Sequence, residues 1–376
     1  MLTTIIQSFA RPFSIHQCRG RLHSTMPVET FTQEFHDESS VRKMSYRTLG
    51  RTNLHVSKLS LGGGPFGGLY EASAETEGTE IILSGLKLGI NYLDTAPHYG
   101  LGHSEKFLGK VLKNVPRKAY YISTKVGHYD NFFDFSAKSV VASLEKSLSL
   151  LGLSCVDIVY IHDIEFAPSL DYIISETIPA LLKMKEKNKL RFIGASAYPV
   201  SILKDLCEIS DQIDVILSYS RDTLFDSTLE NYLPFFKSKN IGVVNASCTG
   251  MGLLSTVGPQ TWHPATDDLK EICHKAVAET LADNVELGKL AVYFCLQKSC
   301  ISSCLVGMGS TKILKLNLDA AFNNISDKEK QVLNRIKQRY FDGENYHWEE
   351  PDLNVYKKQI ETCHRYKYKY ESFMNL

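Results

Sequence analysis

Four polar side chains, each at or just beyond the end of a short apolar run, have the residue types needed for a redox reaction at an alcohol carbon. They are Asp94, Tyr99, Lys125 and His162. Hydride transfer at such a carbon needs a group that exchanges the hydroxyl proton, and a free tyrosine, with a pKa of about 10, is a poor base at neutral pH. A nearby ammonium group lowers the pKa of a tyrosine because it favours the phenolate. We therefore expect Tyr99 to exchange the proton and Lys125 to lie beside it.

The other two residues would support this pair. We expect Asp94 to hold Lys125 charged and in place, and a neutral His162 to bind and orient the substrate oxygen. Each residue alone also has an ordinary structural explanation: a turn cap for Asp94, a solvated strand end for Lys125 and a satisfied buried histidine for His162. Four suitable groups at three consecutive strand ends favour a catalytic set.

The elements that must position these residues alternate along the chain from Tyr46 onward. Short, apolar, β-branched runs are typical of parallel strands buried on both faces, and the longer segments between them have helical periodicity. The predicted strands are Val56–Leu61, Asn91–Asp94, Tyr120–Lys125, Val156–Ile161, Arg191–Ala195, Val215–Ser218, Gly242–Ala246 and Ser303–Val306. The predicted helices are Ser139–Leu151, Asp171–Lys187, Ser227–Lys239 with a kink at Pro234, Asp268–Leu281, Gly288–Gln297 and Lys328–Tyr340.

Eight such units with right-handed crossovers form either a closed barrel or a long doubly wound sheet. The polar residues decide between the two, because in a barrel the carboxyl ends of all strands meet at one mouth, whereas in an open sheet they spread along an edge. The residues at these ends are Asp94, Lys125, His162, Ser196 and Ser218. The sequence therefore predicts an α/β fold: a single-domain (β/α)8 TIM barrel over residues 45–345, with extra C-terminal helices.

The two ends of the chain are predicted to lie outside the barrel. Residues 1–44 are expected to be an N-terminal leader, disordered or targeting, and residues 346–376 a C-terminal tail. Residues 1–28 contain three arginines with several serines and threonines, and the first acidic residue is Glu29. That composition is typical of a mitochondrial presequence, and a disordered leader with translation from an internal methionine is the alternative.

Composition excludes several other classes of protein. The formal net charge is zero, which gives no reason to expect a nucleic-acid partner. No apolar run approaches the roughly 18 residues of a membrane span. The nine cysteines form no CxxC pair, so we expect reduced structural thiols, no metal site and a cytoplasmic protein. We expect a monomer or a weak homo-oligomer that acts on a small molecule.

Three segments that carry the proposed catalytic residues resemble the signatures of the aldo-keto reductases. They are NYLDTAPHYGLGHSEKFLGKVL at 91–112, STKVG at 123–127 and VDIVYIHD at 156–163. The resemblance extends over about residues 46–325. Longer runs, such as LDYIISETIPALLKMKEKNKLRFIG and MGLLSTVGPQTWHPA, resemble one branch of that family, the plant L-galactose dehydrogenases.

This resemblance implies an NAD(P)-dependent aldose 1-dehydrogenase. Such an enzyme oxidises a sugar, for example L-galactose, at C1 to a lactone, and Tyr99 would act as the general base. Two alternatives are a general NADPH-dependent aldehyde or ketone reductase that uses the same residues in the opposite direction, and a non-catalytic partner protein with the same fold. The presence of all four catalytic residue types favours an enzyme.

The resemblance also implies an extended dinucleotide, NAD or NADP, bound across the barrel mouth. The residues that it places near the cofactor are Gly64, Ser196, Ser218, Ser247, Gly307, Gly309, Ser310, Lys312 and Asn317. In this interpretation Ser196 holds the nicotinamide amide and Asn317 contacts the adenine. Gly307, Gly309 and Ser310 would cradle phosphate at the start of a helix. Lys312 is the only nearby cation for a 2′-phosphate, which slightly favours NAD over NADP.

Three positions depart from the pattern of the wider family. Ala197 stands where most members have Asn, Ser218 where many have Gln, and Ala246 where many stack a tyrosine on the nicotinamide. The L-galactose branch shares these departures, so we interpret them as specific to the branch. They leave the ring that would stack on the nicotinamide unidentified.

The residues next to the catalytic strand ends are candidates for the substrate site. His128, Tyr129 and Asp163 could bind sugar hydroxyls, and the alternative is that they are only polar loop surface. A Rossmann site is a further alternative, since Gly62–Gly67 fits GxGxxG. Pro65 argues against it, because the motif requires a helix that begins within the glycines. Tyr121 and Lys125 also fit the Tyr-x-x-x-Lys of short-chain dehydrogenases, but they lie in a β-rich run.

Overall fold

The computed structural model of the protein describes residues 28–68, 73–129, 132–343 and 345–349. The strands within these residues are β1 Tyr46–Thr48, β2 His55–Ser57, β3 Leu59–Gly62, β4 Tyr92–Asp94, β5 Tyr121–Val126, β6 His128–Tyr129, β7 Phe132–Phe133, β8 Val156–Ile161, β9 Leu190–Ala197, β10 Val215–Tyr219, β11 Gly242–Ala246 and β12 Ser303–Gly307. The α-helices are α1 Glu38–Lys43, α2 Ser73–Lys87, α3 His103–Leu112, α4 Ala137–Leu151, α5 Leu170–Tyr172, α6 Ile178–Glu186, α7 Val200–Ile209, α8 Leu233–Ser238, α9 Asp267–Ala282, α10 Leu287–Leu296, α11 Thr311–Phe322 and α12 Asp327–Ile336.

Eight parallel strands close into a barrel, in the order β10-β11-β12-β3-β4-β5-β8-β9. The predicted TIM barrel is therefore confirmed, and with it the convergence of the strand ends at one mouth. Each of the eight predicted strands is present. The run predicted as Val56–Leu61 is divided at Lys58, because its first part forms the antiparallel hairpin β1–β2 and only its second part, β3, joins the barrel.

The predicted helices are also present, with local differences. The segment Asp171–Lys187 contains a π-helical turn at Ile173–Thr177 between α5 and α6. The kink expected at Pro234 is absent, because Thr228–Tyr232 forms a 3-10 turn and α8 begins afterwards at Leu233. Pro234 thus lies in the first turn of a helix, where its missing N–H has no intrahelical partner to lose.

Side chains alternate between the inside and the outside of the barrel. Tyr92, Tyr160, Leu217, Val244 and Leu305 belong to a buried cluster inside the ring. The hairpin contributes a layer below them, at the end opposite the mouth, with Leu49, Leu54 and Val56. A separate and larger apolar cluster packs between the strands and the surrounding helices. The barrel is therefore a filled core, and only its mouth is available for chemistry.

The segment before the barrel packs against it, which corrects the predicted boundary of the leader. The hydroxyl of Tyr121 donates to Glu29 Oε1 at 2.5 Å, and Asn91 Nδ2 donates to Thr30 Oγ1 at 3.0 Å. Helix α1 buries Val41, and Met44 follows it into the core. Ordered structure thus begins by residue 28 and not at residue 45, because these side chains cover the barrel floor. The presequence hypothesis concerns residues 1–27, which lie outside the described residues.

At the other end of the chain, residues 345–349 return to the barrel. Trp348 is fully buried there, so the predicted tail is packed at its beginning. The remainder of the tail, residues 350–376, lies outside the described residues. Among the helices that the structure describes, none is both long and apolar enough to cross a membrane.

Candidate active site

The four predicted catalytic residues meet at the mouth of the barrel. Lys125 Nζ donates to the hydroxyl oxygen of Tyr99 at 3.2 Å, to the carbonyl oxygen of Thr95 at 3.0 Å and to the carboxylate of Asp94. Asp94 ends β4, Lys125 lies near the end of β5, and the turn after β4 carries Tyr99. The ring of Tyr99 contacts the ring of His162 with their centroids 6.2 Å apart. The predicted constellation is therefore formed in space.

Burial and charge act in opposite directions on the ionisable groups of this cluster. Burial lowers the pKa of Lys125, but attraction by Asp94 and Tyr99 more than offsets it, so that the pKa lies above its ordinary value. Burial raises the pKa of Asp94, and Lys125 opposes this effect. The proton of this pair therefore stays on the lysine nitrogen. Lys125 is accordingly a fixed positive charge beside Tyr99.

The pKa of Tyr99 itself is raised, which corrects the expectation that Lys125 makes this tyrosine acidic. Burial is the largest cause, and the charge of Lys125 only partly offsets it. The phenol is consequently protonated at neutral pH in this structure. Lys125 still favours the phenolate whenever the proton leaves, because the two groups are in hydrogen-bond contact.

A chain of hydroxyl groups inside the barrel fixes the carboxylate of Asp94. Ser123 Oγ donates to Asp94 Oδ1 at 2.6 Å, and the same Oγ lies 2.8 Å from the hydroxyl of Tyr92. The hydroxyl of Tyr92 in turn lies 3.0 Å from that of Tyr160. Sequence reasoning did not find these residues. A signal was available for Ser123, which precedes Lys125 by two positions and so shares its face of the strand.

Glycines hold the turn that carries Tyr99. Gly100 has a φ of +65°, and a Cβ there would overlap the carbonyl oxygen of Gly67. A Cβ on Gly67 would come within 2.5 Å of the carbonyl carbon of Tyr99. The glycine run after β3 therefore serves to bring two backbones together and contributes to no Rossmann fold, since β3 is a barrel strand.

His162 follows β8 and faces the cluster as a neutral imidazole. Burial lowers its pKa well below the ordinary value, and the nearby charges of His128 and Lys125 lower it further. Its Nδ1 atom is buried without a hydrogen-bond partner among the described residues. A neutral ring in this position can exchange a hydrogen bond with a substrate oxygen.

A row of rings continues from His162 along one wall of the mouth. The ring of His128 stacks on those of His98 and Phe133, with centroids 3.9 Å and 4.1 Å away. His128 Nδ1 lies 2.8 Å from Asp163 Oδ2, so two of the three predicted substrate residues form one polar pair. The donor atoms of His128, His162 and Asp163 lie within 4.8 Å of one another, which is also close enough to hold a metal ion.

Tyr129, the third predicted substrate residue, is placed differently. Its side chain is 1% exposed, and its hydroxyl accepts the backbone N–H of Gly127 at 3.0 Å. The ring also packs against Phe132. Because the side chain is enclosed and its hydroxyl is bound to the backbone, the structure assigns Tyr129 to the support of the loop and not to direct contact with a substrate.

Two of the predicted cofactor residues at the strand ends have different surroundings. Ser196 lies at the mouth, where its Oγ accepts the backbone N–H of Asp163 at 3.3 Å. Ser218 points away from the barrel axis, because Val215 and Leu217 on the same strand belong to the inner cluster. Side chains alternate along a strand, so the inward residue at the end of β10 is Tyr219. The prediction for Ser218 is therefore wrong, and its neighbour occupies the mouth.

The predicted phosphate cradle lies where β12 leads into α11. Gly307 ends β12 beside Gly62, and Ser310 caps α11 by accepting the backbone N–H of Ile313 at 3.3 Å. The backbone N–H groups of Gly309 and Ser310 have no acceptor among the described residues. A Cβ on Gly309 would meet no atom within 4 Å. Free donors beside open space at a helix N-terminus fit the diphosphate of a dinucleotide.

The remaining predicted cofactor residues surround this cradle and the mouth. Gly64 begins the turn after β3, and Ser247 follows β11 with a φ of +58°. The side-chain amide nitrogen of Asn317 in α11 is buried and has no partner in the part of the chain that the structure describes. Lys312 is largely exposed and lies 3.3 Å from Glu286. The described residues at this site therefore suit an extended nucleotide.

Comparison with known proteins gives this geometry a family. The family model described as "Aldo/keto reductase family" matches residues 58–364. The L-galactose dehydrogenase of Arabidopsis thaliana is 44% identical over 282 residues, which are 74% of this chain and 88% of that protein. The D-arabinose 1-dehydrogenase of Saccharomyces cerevisiae is 32% identical over 308 residues, 76% of this chain and 91% of its own length.

Solved structures agree with these sequence comparisons. The aldo-keto reductase AKR11C1 from Bacillus halodurans, in its holo form, superposes with a TM-score of 0.63 at 28% identity. The match covers 78% of this chain and 96% of that one. The chain belongs to the aldo/keto reductase family and is an oxidoreductase with that family's eight-stranded barrel.

Proposed function

We propose that the protein is an aldose 1-dehydrogenase, which oxidises the anomeric carbon of a sugar such as L-galactose to a lactone. The observation that carries this proposal is the contact of the Tyr99 hydroxyl with Lys125 Nζ, 3.2 Å away, beside a wall rich in hydrogen-bonding groups. The sugar dehydrogenases among the relatives support the choice of substrate class.

Each residue has a stated task in this reaction. The anomeric hydroxyl gives its proton to Tyr99 while the anomeric C–H bond breaks and the C=O bond of the lactone forms. When bound, the oxidised nicotinamide supplies the hydride acceptor. Lys125 stabilises the phenolate that accepts the proton, and Asp94 keeps Lys125 in place. His162 orients the reacting oxygen, and the pair His128–Asp163 binds further hydroxyls of the sugar.

The surroundings of α11 favour NAD over NADP. The carboxylate of Glu77 accepts the backbone N–H of Thr311 at 2.6 Å, at the same helix N-terminus that would receive the phosphates. Lys312, the cation predicted to meet a 2′-phosphate, lies beside Glu286. A phosphomonoester at neutral pH carries a charge of about −1.5 to −2, so two nearby carboxylates oppose its binding.

A substrate panel tests the proposed function. Purified protein is mixed with L- and D-aldoses and with NAD⁺ or NADP⁺, and the absorbance of the reduced nicotinamide is followed. We expect turnover with at least one aldose, a lactone as the product and preference for NAD⁺. No response to any sugar, together with rapid oxidation of NADPH by simple aldehydes, would replace this proposal with the reductase.

That second function has an observation in its favour. The raised pKa of Tyr99 keeps the phenol protonated at neutral pH, and a protonated Tyr99 is the proton donor that carbonyl reduction needs. Initial rates in both directions, measured at the same pH with a sugar lactone, a sugar and simple aldehydes, distinguish the two.

A further inference from the structure

The side chain at the mouth end of β10 has surroundings that the mechanism above does not use. Tyr219 follows the inward-facing Val215 and Leu217 and packs at the upper edge of the inner cluster. Its partner in the register of β11 is Ala246, which contributes only a methyl group. A partly exposed aromatic ring therefore lies beside a small residue at the barrel mouth.

The ring of Tyr219 is supported by a second ring. Tyr198, which follows β9, lies with its centroid 5.2 Å from that of Tyr219. Tyr198 is in turn stacked on Trp348 with 4.8 Å between centroids and an angle of 15° between the ring planes. The hydroxyl of Tyr198 accepts the backbone N–H of Trp348 at 3.1 Å. Residues 345–349 thus brace the ring next to Tyr219.

Charge holds the same support together. The guanidinium of Arg221 lies 4.8 Å from the centre of the Tyr198 ring, and one of its nitrogens is 3.0 Å from Glu349. Arg221 is 2% exposed, so this pair is largely removed from water. A ring backed in this way loses little further freedom when a flat ligand packs against it, because its position is already fixed.

The topology places Tyr219 across the mouth from the proton-transfer group. In the closed order of strands, β10 and β4 are separated by three strands in either direction, so they are opposite one another. Tyr99 follows β4 and Tyr219 ends β10. A reacting carbon beside Tyr99 must also contact the hydride acceptor, which therefore lies over the centre of the mouth, between the two tyrosines.

We propose that Tyr219 is the aromatic surface against which the nicotinamide ring lies, with the space beside Ala246 left open for that ring. The inference rests on the nicotinamide cofactor of the proposed function but not on the identity of the sugar. An aromatic contact of this kind contributes by offset stacking in addition to the area it buries.

Binding of two nucleotides tests the proposal. The dissociation constants of NADH and of ADP-ribose, which lacks the nicotinamide, are measured by calorimetry for the wild type, Tyr219→Met and Tyr219→Phe. We expect Tyr219→Met to weaken NADH by about three- to tenfold and to leave ADP-ribose within about twofold. Tyr219→Phe keeps the ring and is expected to bind both nucleotides as the wild type does. Unchanged NADH affinity in Tyr219→Met, or equal weakening of both nucleotides, would overturn the proposal.

A second variant acts from the neighbouring strand, in case Tyr219→Met does not fold. Ala246→Leu fills the space beside the ring, and we expect the same selective loss of NADH affinity. If that variant binds NADH as tightly as the wild type, the nicotinamide does not lie there. These measurements need no turnover, so a protein that oxidises no aldose but shows the selective loss would retain this inference and lose the proposed substrate.

Discussion

Lys125 Nζ lies 3.2 Å from the hydroxyl oxygen of Tyr99, although a strand carries one residue and a glycine-bounded turn carries the other. The contact joins a fixed positive charge to the only ionisable group of the cluster that can exchange a proton with an alcohol near neutral or alkaline pH. It determines both the rate of proton transfer and its dependence on pH.

Replacing Tyr99 by phenylalanine removes the proton carrier and keeps the ring. We expect the turnover number for aldose oxidation to fall by about a hundred- to ten-thousandfold. The dissociation constant of NADH should stay within about twofold, because the hydroxyl faces Lys125 and not the phosphate cradle. Rapid kinetics and calorimetry give the two values. A variant that keeps most of its turnover would show that another group carries the proton.

The direction of the pH dependence follows from the raised pKa of Tyr99. Oxidation requires the deprotonated phenol, so its rate is expected to rise with pH until the pKa of Tyr99 is passed. Reduction requires the protonated phenol, so its rate should be constant at neutral pH and fall at alkaline pH. Rate profiles in both directions with the same enzyme check this. A rate of oxidation that decreases with rising pH would contradict the assignment of Tyr99 as the base.

Removing the charge of Lys125 should shift that profile. Lys125→Met alone leaves the buried carboxylate of Asp94 unpaired, which costs about 3 to 5 kcal/mol in stability. The double variant Lys125→Met/Asp94→Asn avoids this cost. We expect its alkaline rise to move upward by about one pH unit or more, with about a tenfold loss of rate at fixed pH for each unit. An unshifted profile would mean that Lys125 only supports the structure.

The glycine contact beneath Tyr99 can be tested against a matched position. Gly100→Ala places a Cβ against Gly67, whereas Gly152→Ala has almost the same φ, +66° against +65°, and no atom within 4 Å. Both variants carry the backbone strain of a left-handed residue, about 1 kcal/mol. Only Gly100→Ala should lower the turnover number, by about tenfold or more, because Tyr99 is displaced. Equal activity of the two variants would show that the close approach is unimportant.

Glu105 links the candidate site to stability. The residue is buried on α3, accepts the hydroxyl of Thr124 at 2.5 Å, and has a pKa that burial raises to about 7. A carboxyl group with a raised pKa favours the folded state while it is protonated, and this contribution is lost as the pH rises from about 4.5 through about 7. Between about pH 5 and pH 8 the wild type should lose about 2 to 3 kcal/mol that Glu105→Gln does not lose.

Denaturant unfolding at several pH values measures this difference. The control is Glu80→Gln, which changes an exposed glutamate on α2. We expect the control to follow the wild type at each pH. Parallel curves for the wild type and Glu105→Gln would show that Glu105 does not take up a proton in this pH range.

The amino-acid sequence by itself determined the eight strands, the closed barrel and the four catalytic residue types. Short apolar runs with polar residues at their carboxyl ends have few arrangements that bury both faces, and the barrel is the one that brings Asp94, Lys125 and His162 to a common mouth. Their identities therefore carried enough information, as did the signature segments.

Only the tertiary structure decided which way each strand faces and how strongly each group is buried. In a strand that is apolar at consecutive positions, the sequence does not show which residues point inward, and for this reason Ser218 was chosen where Tyr219 faces the mouth. The pKa of Tyr99 depends on how far burial outweighs the charge of Lys125, and that balance exists only once the elements have packed. The same packing encloses Tyr129 and brings residues 28–44 and Trp348 onto the barrel.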